Sequence, residues 1–97
     1  GGLYALSPPV AIPPGHALIT YSARSTAADS TVRAMAQDAT GAELSQTTWT
    51  VAQGPSSHTR AMWVTLPAQA ARLQLRLEVL TPNSTALFDW VKVEWQP

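Results

Sequence analysis

The segment that decides the fold is Arg72-Leu73-Gln74-Leu75-Arg76-Leu77-Glu78-Val79-Leu80, at residues 72–80. Its apolar and polar side chains alternate, so that three leucines and Val79 share one face. A period of two is that of a β-strand with one buried and one wetted face, whereas a helix would spread the same leucines round its circumference. The segment therefore predicts a strand whose polar side consists of Arg72, Gln74, Arg76 and Glu78.

The run at residues 86–95 shows a second alternation. Val91, Val93 and Trp95 fall on one face, and the other face carries Trp90, Lys92 and Glu94. Between the two runs, residues 81–85 have the composition of a turn, with proline, asparagine and serine. We therefore expect two strands that are neighbours in one antiparallel sheet.

Further strands are predicted where Thr, Val, Ile, Trp and Tyr are frequent and turn residues stand on either side: residues 17–23, 45–52 and 59–66. The proline-rich stretch at residues 8–13 reads as an edge strand, because prolines remove donors from a β-ladder.

Residues 29–39 are ambiguous. Val32, Met35 and Ala36 have helical spacing, with Ser and Asp before them and Gly41 after. A strand at residues 31–37 is the other interpretation, and we prefer it because every neighbouring segment is a predicted strand. The whole pattern predicts an all-β antiparallel sandwich.

Composition bounds the size and the class of the protein. With 97 residues and no cysteine, we expect residues 1–97 to form a single β-sandwich module without disulfides, part of a longer chain or excised from one. Six basic and six acidic residues give a net charge of zero and no basic cluster, which argues against nucleic acid as a partner. No apolar run reaches the ~20 residues that a membrane-spanning helix needs, so membrane insertion is not expected.

Catalytic motifs are lacking, so we expect no enzyme activity. The histidines, His16 and His58, stand singly in predicted loops, and neither has the further ligands that a metal site requires. No Gly-x-Ser-x-Gly elbow, phosphate loop or dinucleotide fingerprint occurs, and no carboxylates are paired by a motif. We expect no cofactor.

The order of several motifs resembles that of galactose-binding-like jelly-roll domains. The strand after Pro14-Gly15 ends Tyr21-Ser22-Ala23-Arg24-Ser25; Asp38, Gly41, Trp49 and Leu66-Pro67 follow; Phe88-Asp89-Trp90-Val91-Lys92-Val93 is similar to the closing strand. The likeness covers roughly residues 8–95. It implies an antiparallel jelly-roll β-sandwich of about eight short strands.

Two groups of proteins carry such modules, and they imply different functions. Carbohydrate-binding modules of bacterial glycosidases and glycosyltransferases would make this chain a non-catalytic, sugar-binding accessory domain. Sandwich domains of phage tail and coat proteins would make it a structural assembly module. The expected partners are accordingly carbohydrate or neighbouring protein domains, and the expected location is extracellular, on a cell surface or on a virion. A structural calcium is in doubt, because Trp90 replaces the second acidic residue of the closing motif.

The candidate binding residues follow from the alternation. Four tryptophans are present, and the pattern turns Trp63 and Trp90 outward, where an indole can stack on a sugar ring. Gln74 and Arg76 are predicted to line a polar platform beside them. Coverage of the sandwich ends or contact with another domain is the alternative role of the indoles, and a solvated strand face is the alternative for the polar residues. Trp49 and Trp95 are assigned to packing.

Overall fold

The computed structural model describes residues 3–97, and these form two antiparallel β-sheets without a helix. No helix able to span a membrane occurs among them. The strands are β1 (Leu3–Leu6), β2 (Val10–Ala11), β3 (Gly15–Ser25), β4 (Thr31–Gln37), β5 (Glu43–Thr50), β6 (His58–Leu66), β7 (Arg72–Val79) and β8 (Ala86–Gln96).

The two sheets stack face to face as a sandwich. The five-stranded sheet has the order β1-β7-β4-β5, with β2 also pairing with β7, and the three-stranded sheet has the order β6-β3-β8. Along the chain the pairs are nested, since β4 pairs with β5, β3 with β6, and β2 with β7. The predicted all-β antiparallel sandwich is confirmed.

Strand β7 behaves as its sequence predicts. Its residues alternate between half-buried and buried along the whole strand, with Leu73, Leu75, Leu77 and Val79 facing the interior. The proline-rich segment contributes only Val10–Ala11, which pair with one end of β7 at the margin of the sheet. This agrees with the prediction of an edge strand.

The ambiguous segment is a strand, β4, with the predicted bounds Thr31–Gln37. It lies between β5 and β7 and is buried on its inner face through Val32, Ala34 and Ala36. Met35 is also buried, at 8% exposed, although it lies on the outer face. Burial on both faces explains why the apolar residues of this strand do not simply alternate.

One prediction of strand pairing is wrong. Strands β7 and β8 are not neighbours; the segment at residues 81–85 carries the chain from the five-stranded to the three-stranded sheet. Both edges of β7 are already occupied, by β4 on one side and by β1 and β2 on the other. A turn composition marks where a strand ends, but it does not specify which strand the chain joins next.

The interior contains most of the residues whose alternation predicted burial. Tyr21, Ile19, Leu73 and Val32 are its largest fully enclosed apolar side chains, and Trp49 and Val93 pack against them partly buried. Val91, predicted to be in the core, is 38% exposed. Val91 faces inward, but β8 is an edge strand, and no strand of the described part of the chain lies beside its free edge.

Candidate functional site

Two of the exposed tryptophans, Trp63 and Trp90, lie on the same outer surface of the sandwich. The ladder pairs Leu18 of β3 with Trp63 on one side and with Glu94 on the other, and pairs Ser22 with Trp90. Trp63 is 55% exposed and Trp90 is 46% exposed. The predicted outward orientation of both indoles is confirmed, and we call this outer surface of the three-stranded sheet the tryptophan face: Leu18, Thr20, Trp63, Trp90, Lys92 and Glu94.

A β-bulge at Asp89 sets the orientation of Trp90. The register of β3 with β8 shifts by one residue there, since Ser22 pairs with Trp90 but Ala23 pairs with Phe88. Phe88 therefore faces inward, where its ring meets Tyr21 edge-to-face at a centroid distance of 5.8 Å. In a regular strand without a bulge, Phe88 and Trp90 would lie on the same face because they are two residues apart; the bulge at Asp89 puts them on opposite faces.

The centre of the tryptophan face is formed by Leu18, Thr20 and Ser22 of β3, of which two are polar. Thr20 and Leu18 are half-buried and Ser22 is 6% exposed, so the large side chains of the two edge strands stand above the central strand β3. Lys92 and Glu94 form an ion pair of 3.5 Å between Nζ and Oε1. Two strand spacings across and four residues along the sheet place the Cα atoms of Trp63 and Trp90 about 16 Å apart.

Arg76 and Gln74, predicted to lie beside the indoles, are on the other side of the molecule. Both belong to β7, and their side chains point to the outer surface of the five-stranded sheet, because Leu73, Leu75 and Leu77 point inward. The predicted platform of indoles and polar side chains is therefore not formed. Alternation assigned each residue to the outside correctly, but a sandwich has two outer surfaces.

The surface around Arg76 is a compact polar cluster that we call the arginine face: Tyr4, Arg33, Gln74, Arg76 and Glu78. The Nη2 atom of Arg76 donates to Oε2 of Glu78 at 2.6 Å, and the Arg76 guanidinium lies 4.0 Å from the centre of the Tyr4 ring. Arg33 stands directly across from Arg76 in the ladder. The buried Nε atoms of both arginines lack a hydrogen-bond partner among residues 3–97.

Gln74 is held in place by its neighbours on the same surface. Its side-chain oxygen accepts from the Gln37 amide at 3.1 Å, and its own amide donates to the Ser7 carbonyl at 2.9 Å. Both ends of the side chain are thus committed to structural hydrogen bonds. This favours a role in joining β1, β7 and β4 rather than in contacting a ligand.

Sequence reasoning missed Tyr4 and Arg33 as members of a surface cluster. Tyr4 is 58% exposed, and its strand β1 is too short to show an alternation. Arg33 lies in the segment whose sequence fits either a helix or a strand, so the sequence did not assign it to a sheet surface. Only the register of β4 with β7 brings Arg33 next to Arg76.

The remaining aromatic and titratable candidates are Trp95, His16 and His58. Trp95 is 42% exposed, and its indole N–H donates to the carbonyl oxygens of Pro13 at 3.1 Å and Pro14 at 3.2 Å. His16 and His58 lie near opposite ends of the β3–β6 ladder. Among the described residues no group of three or more His, Asp or Glu side chains is placed to hold a metal ion.

An apolar cleft opens along one side of the sandwich, between the margin of the five-stranded sheet and β8. Its volume is about 210 Å³. It exists because the two sheets are not closed at this side: the interrupted strands β1 and β2 face the edge strand β8 across it. Its lining is Ser7, Pro8, Val10, Leu73, Leu75, Val91 and Val93.

Comparisons with protein-family models, with curated proteins and with solved structures found no match.

Proposed function

We propose that the chain is a non-catalytic carbohydrate-binding module with a jelly-roll fold, and that the tryptophan face is its binding surface. The nested pairs β4–β5, β3–β6 and β2–β7, with β8 returning to β3, support the jelly roll, because that fold is a long hairpin rolled into two sheets. The proposed location is extracellular, on a cell surface or on a virion.

The observation that carries the binding proposal is the pair of half-exposed indoles on one sheet surface. Each indole is a large apolar side chain about half open to solvent, so a partner that covers it gains the free energy of burying that apolar surface. An indole can stack on the apolar face of a sugar ring, while nearby hydroxyl, ammonium and carboxylate groups bond to the ring hydroxyls. Thr20, Lys92 and Glu94 supply such groups on the same face.

The separation of the indoles favours a chain-like ligand. With their Cα atoms about 16 Å apart, Trp63 and Trp90 cannot clasp one small ring between them. An oligosaccharide lying across β3 could stack on both indoles and contact Thr20 between them. Because such a surface is open, we expect an affinity on the order of micromolar to millimolar.

The direct test is to titrate neutral oligosaccharides of α- and β-glucan, xylan, galactan and mannan while following tryptophan fluorescence. With the sugar that binds, Trp63→Ala and Trp90→Ala should each weaken binding by roughly 5- to 100-fold, as expected for losing a stacked aromatic. Tyr4→Ala is the matched control, because Tyr4 is an exposed aromatic on the opposite surface, and it should leave the affinity unchanged.

Two results would contradict the proposal. One is the absence of any response across the panel. The other is loss of binding in Tyr4→Ala together with normal binding in both tryptophan variants, which would move the site to the arginine face.

A structural assembly module, of a phage tail or coat or of a cell-surface protein, is the second candidate. The observation that favours it is the open side of the sandwich, where Val91 and Trp95 are 38% and 42% exposed next to an apolar cleft. The genes beside the coding sequence, or the rest of its polypeptide, discriminate between the two. A sugar-active catalytic domain favours carbohydrate binding, and tail or capsid proteins favour assembly.

A further inference from the structure

Strand β8 is a long edge strand with a free side. It has 11 residues and pairs with β3 along one edge. No strand of residues 3–97 pairs with its other edge. Every second residue of an antiparallel strand directs its N–H and C=O away from a given neighbour, so this edge presents a row of unpaired backbone groups.

The side chains of β8 are complementary to those of a second, antiparallel β8. When two copies are related by a twofold axis through Val93, Lys92 of each copy lies opposite Glu94 of the other. On the inner face, Val91 lies opposite Trp95 of the second copy. Opposite charges and an aromatic beside a β-branched residue are both favourable cross-strand pairs.

The regular part of β8, residues 90–96, is also centred on Val93. The bulge at Asp89 ends the regular ladder at Trp90, and at the other end Pro97 has no N–H to donate. In the twofold arrangement these two interruptions lie opposite each other. The segment between them, residues 90–96, is therefore free to pair with itself along its whole length.

We propose that two copies of this chain associate through β8, antiparallel and centred on Val93, so that their three-stranded sheets become one continuous six-stranded sheet. The interface is isologous and closed, because the same strand serves both copies. This proposal is independent of the carbohydrate proposal.

The dimer accounts for the exposure at the open side of the sandwich. Val91 and Trp95 face inward and yet are 38% and 42% exposed. The second copy would cover each of these side chains with the other member of the pair. Its β8 would also lie along the apolar cleft, two of whose lining residues are Val91 and Val93.

The charges of Lys92 and Glu94 favour a second copy of this chain over an unrelated strand as the partner of β8. A lysine on an edge strand ordinarily opposes pairing, because an approaching strand would have to bury it or meet it unpaired. Here Glu94 stands two residues away, with its carboxylate 3.5 Å from the Lys92 ammonium. An antiparallel copy meets each charge with its opposite, whereas an unrelated apolar strand meets neither.

Sedimentation velocity of the wild-type chain and of charge variants tests the proposal. The wild type should show a concentration-dependent monomer–dimer equilibrium. Lys92→Glu would place four carboxylates at the interface, and Glu94→Lys four ammonium groups; each change should raise the dimer Kd about tenfold or more. The double variant Lys92→Glu/Glu94→Lys restores both opposite-charge pairs and should recover the wild-type Kd.

Sedimentation velocity of an equimolar mixture of the two single variants is the most specific test. Each forms a poor homodimer, but together they present only opposite charges and should form a heterodimer with the wild-type affinity. Both side chains are largely exposed, at 64% and 49%, so circular dichroism should show unchanged folding.

Three outcomes would overturn the proposal. These are a wild-type chain that stays monomeric throughout the micromolar range, single variants that dimerise as well as the wild type, and a mixture that gains no affinity. A dimer that behaves as expected but binds no sugar would leave this proposal standing and remove the carbohydrate proposal alone.

Discussion

Deleting Asp89 tests whether the bulge, rather than regular alternation, sets the faces of β8. Deleting one residue from a strand normally turns every side chain beyond it to the opposite face. At Asp89 the opposite is expected, because Ser22 pairs with Trp90 and Ala23 already pairs with Phe88. Removing the extra residue joins two segments that are already in register, so Phe88 stays inward and Trp90 stays outward.

A deletion of Thr65 is the matched control. Thr65 is exposed and lies in β6, the other edge strand of the same sheet, whose ladder with β3 is regular. After its deletion, either Leu66 or the upstream pair Met62 and Val64 must turn outward. Leu66 is 3% exposed, so even the less costly repair removes one buried leucine from the interior.

The two deletions should therefore lower the free energy of unfolding by different amounts. Losing a buried leucine costs about 2–5 kcal/mol, a large share of the roughly 5–15 kcal/mol that stabilises a domain of this kind. Losing exposed Asp89 and the local twist of the bulge should cost about 1 kcal/mol or less. Urea unfolding followed by tryptophan fluorescence measures both values. Equal destabilisation by the two deletions would refute the assignment of the bulge and with it the inward position of Phe88.

Two further predictions concern the interior and the β4–β5 turn. Tyr21 is 1% exposed, its buried hydroxyl has no hydrogen-bond partner among residues 3–97, and burial raises the pKa of its phenol. In urea unfolding, Tyr21→Phe should therefore keep or raise the stability by about 1 kcal/mol, and a clear loss would show that the hydroxyl has a partner. The Asp38 carboxylate accepts from the Thr40 hydroxyl at 2.6 Å and from the Ala42 N–H at 3.0 Å, which lowers its pKa below 3.8. The contribution of the Asp38 carboxylate to folding stability is therefore fully present above pH 3.8 and is lost as the pH falls through the folded-state pKa. The stability difference between wild type and Asp38→Asn should accordingly shrink in acid, and a difference independent of pH would contradict this.

The candidate site was predictable residue by residue but not as an arrangement. Alternation in β6 and β8 was enough to turn Trp63 and Trp90 outward, and the structure agrees. The same rule turned Arg76 outward, but it carries no information on which of two sheets a strand joins. Arg76 consequently belongs to a different surface, with Tyr4 and Glu78 as its neighbours.

Local pattern alone determined that the chain is all-β, where most strands lie and which side of β7 is buried, because a strand's two faces are separated within its own sequence. Tertiary structure decided which strands are neighbours, how the bulge at Asp89 redirects Phe88, and that β8 has a free edge. Those features depend on pairing between residues far apart in sequence, such as Ala17 with Trp95. The free energy of such pairing comes from the packed sandwich as a whole, so no single segment encodes it.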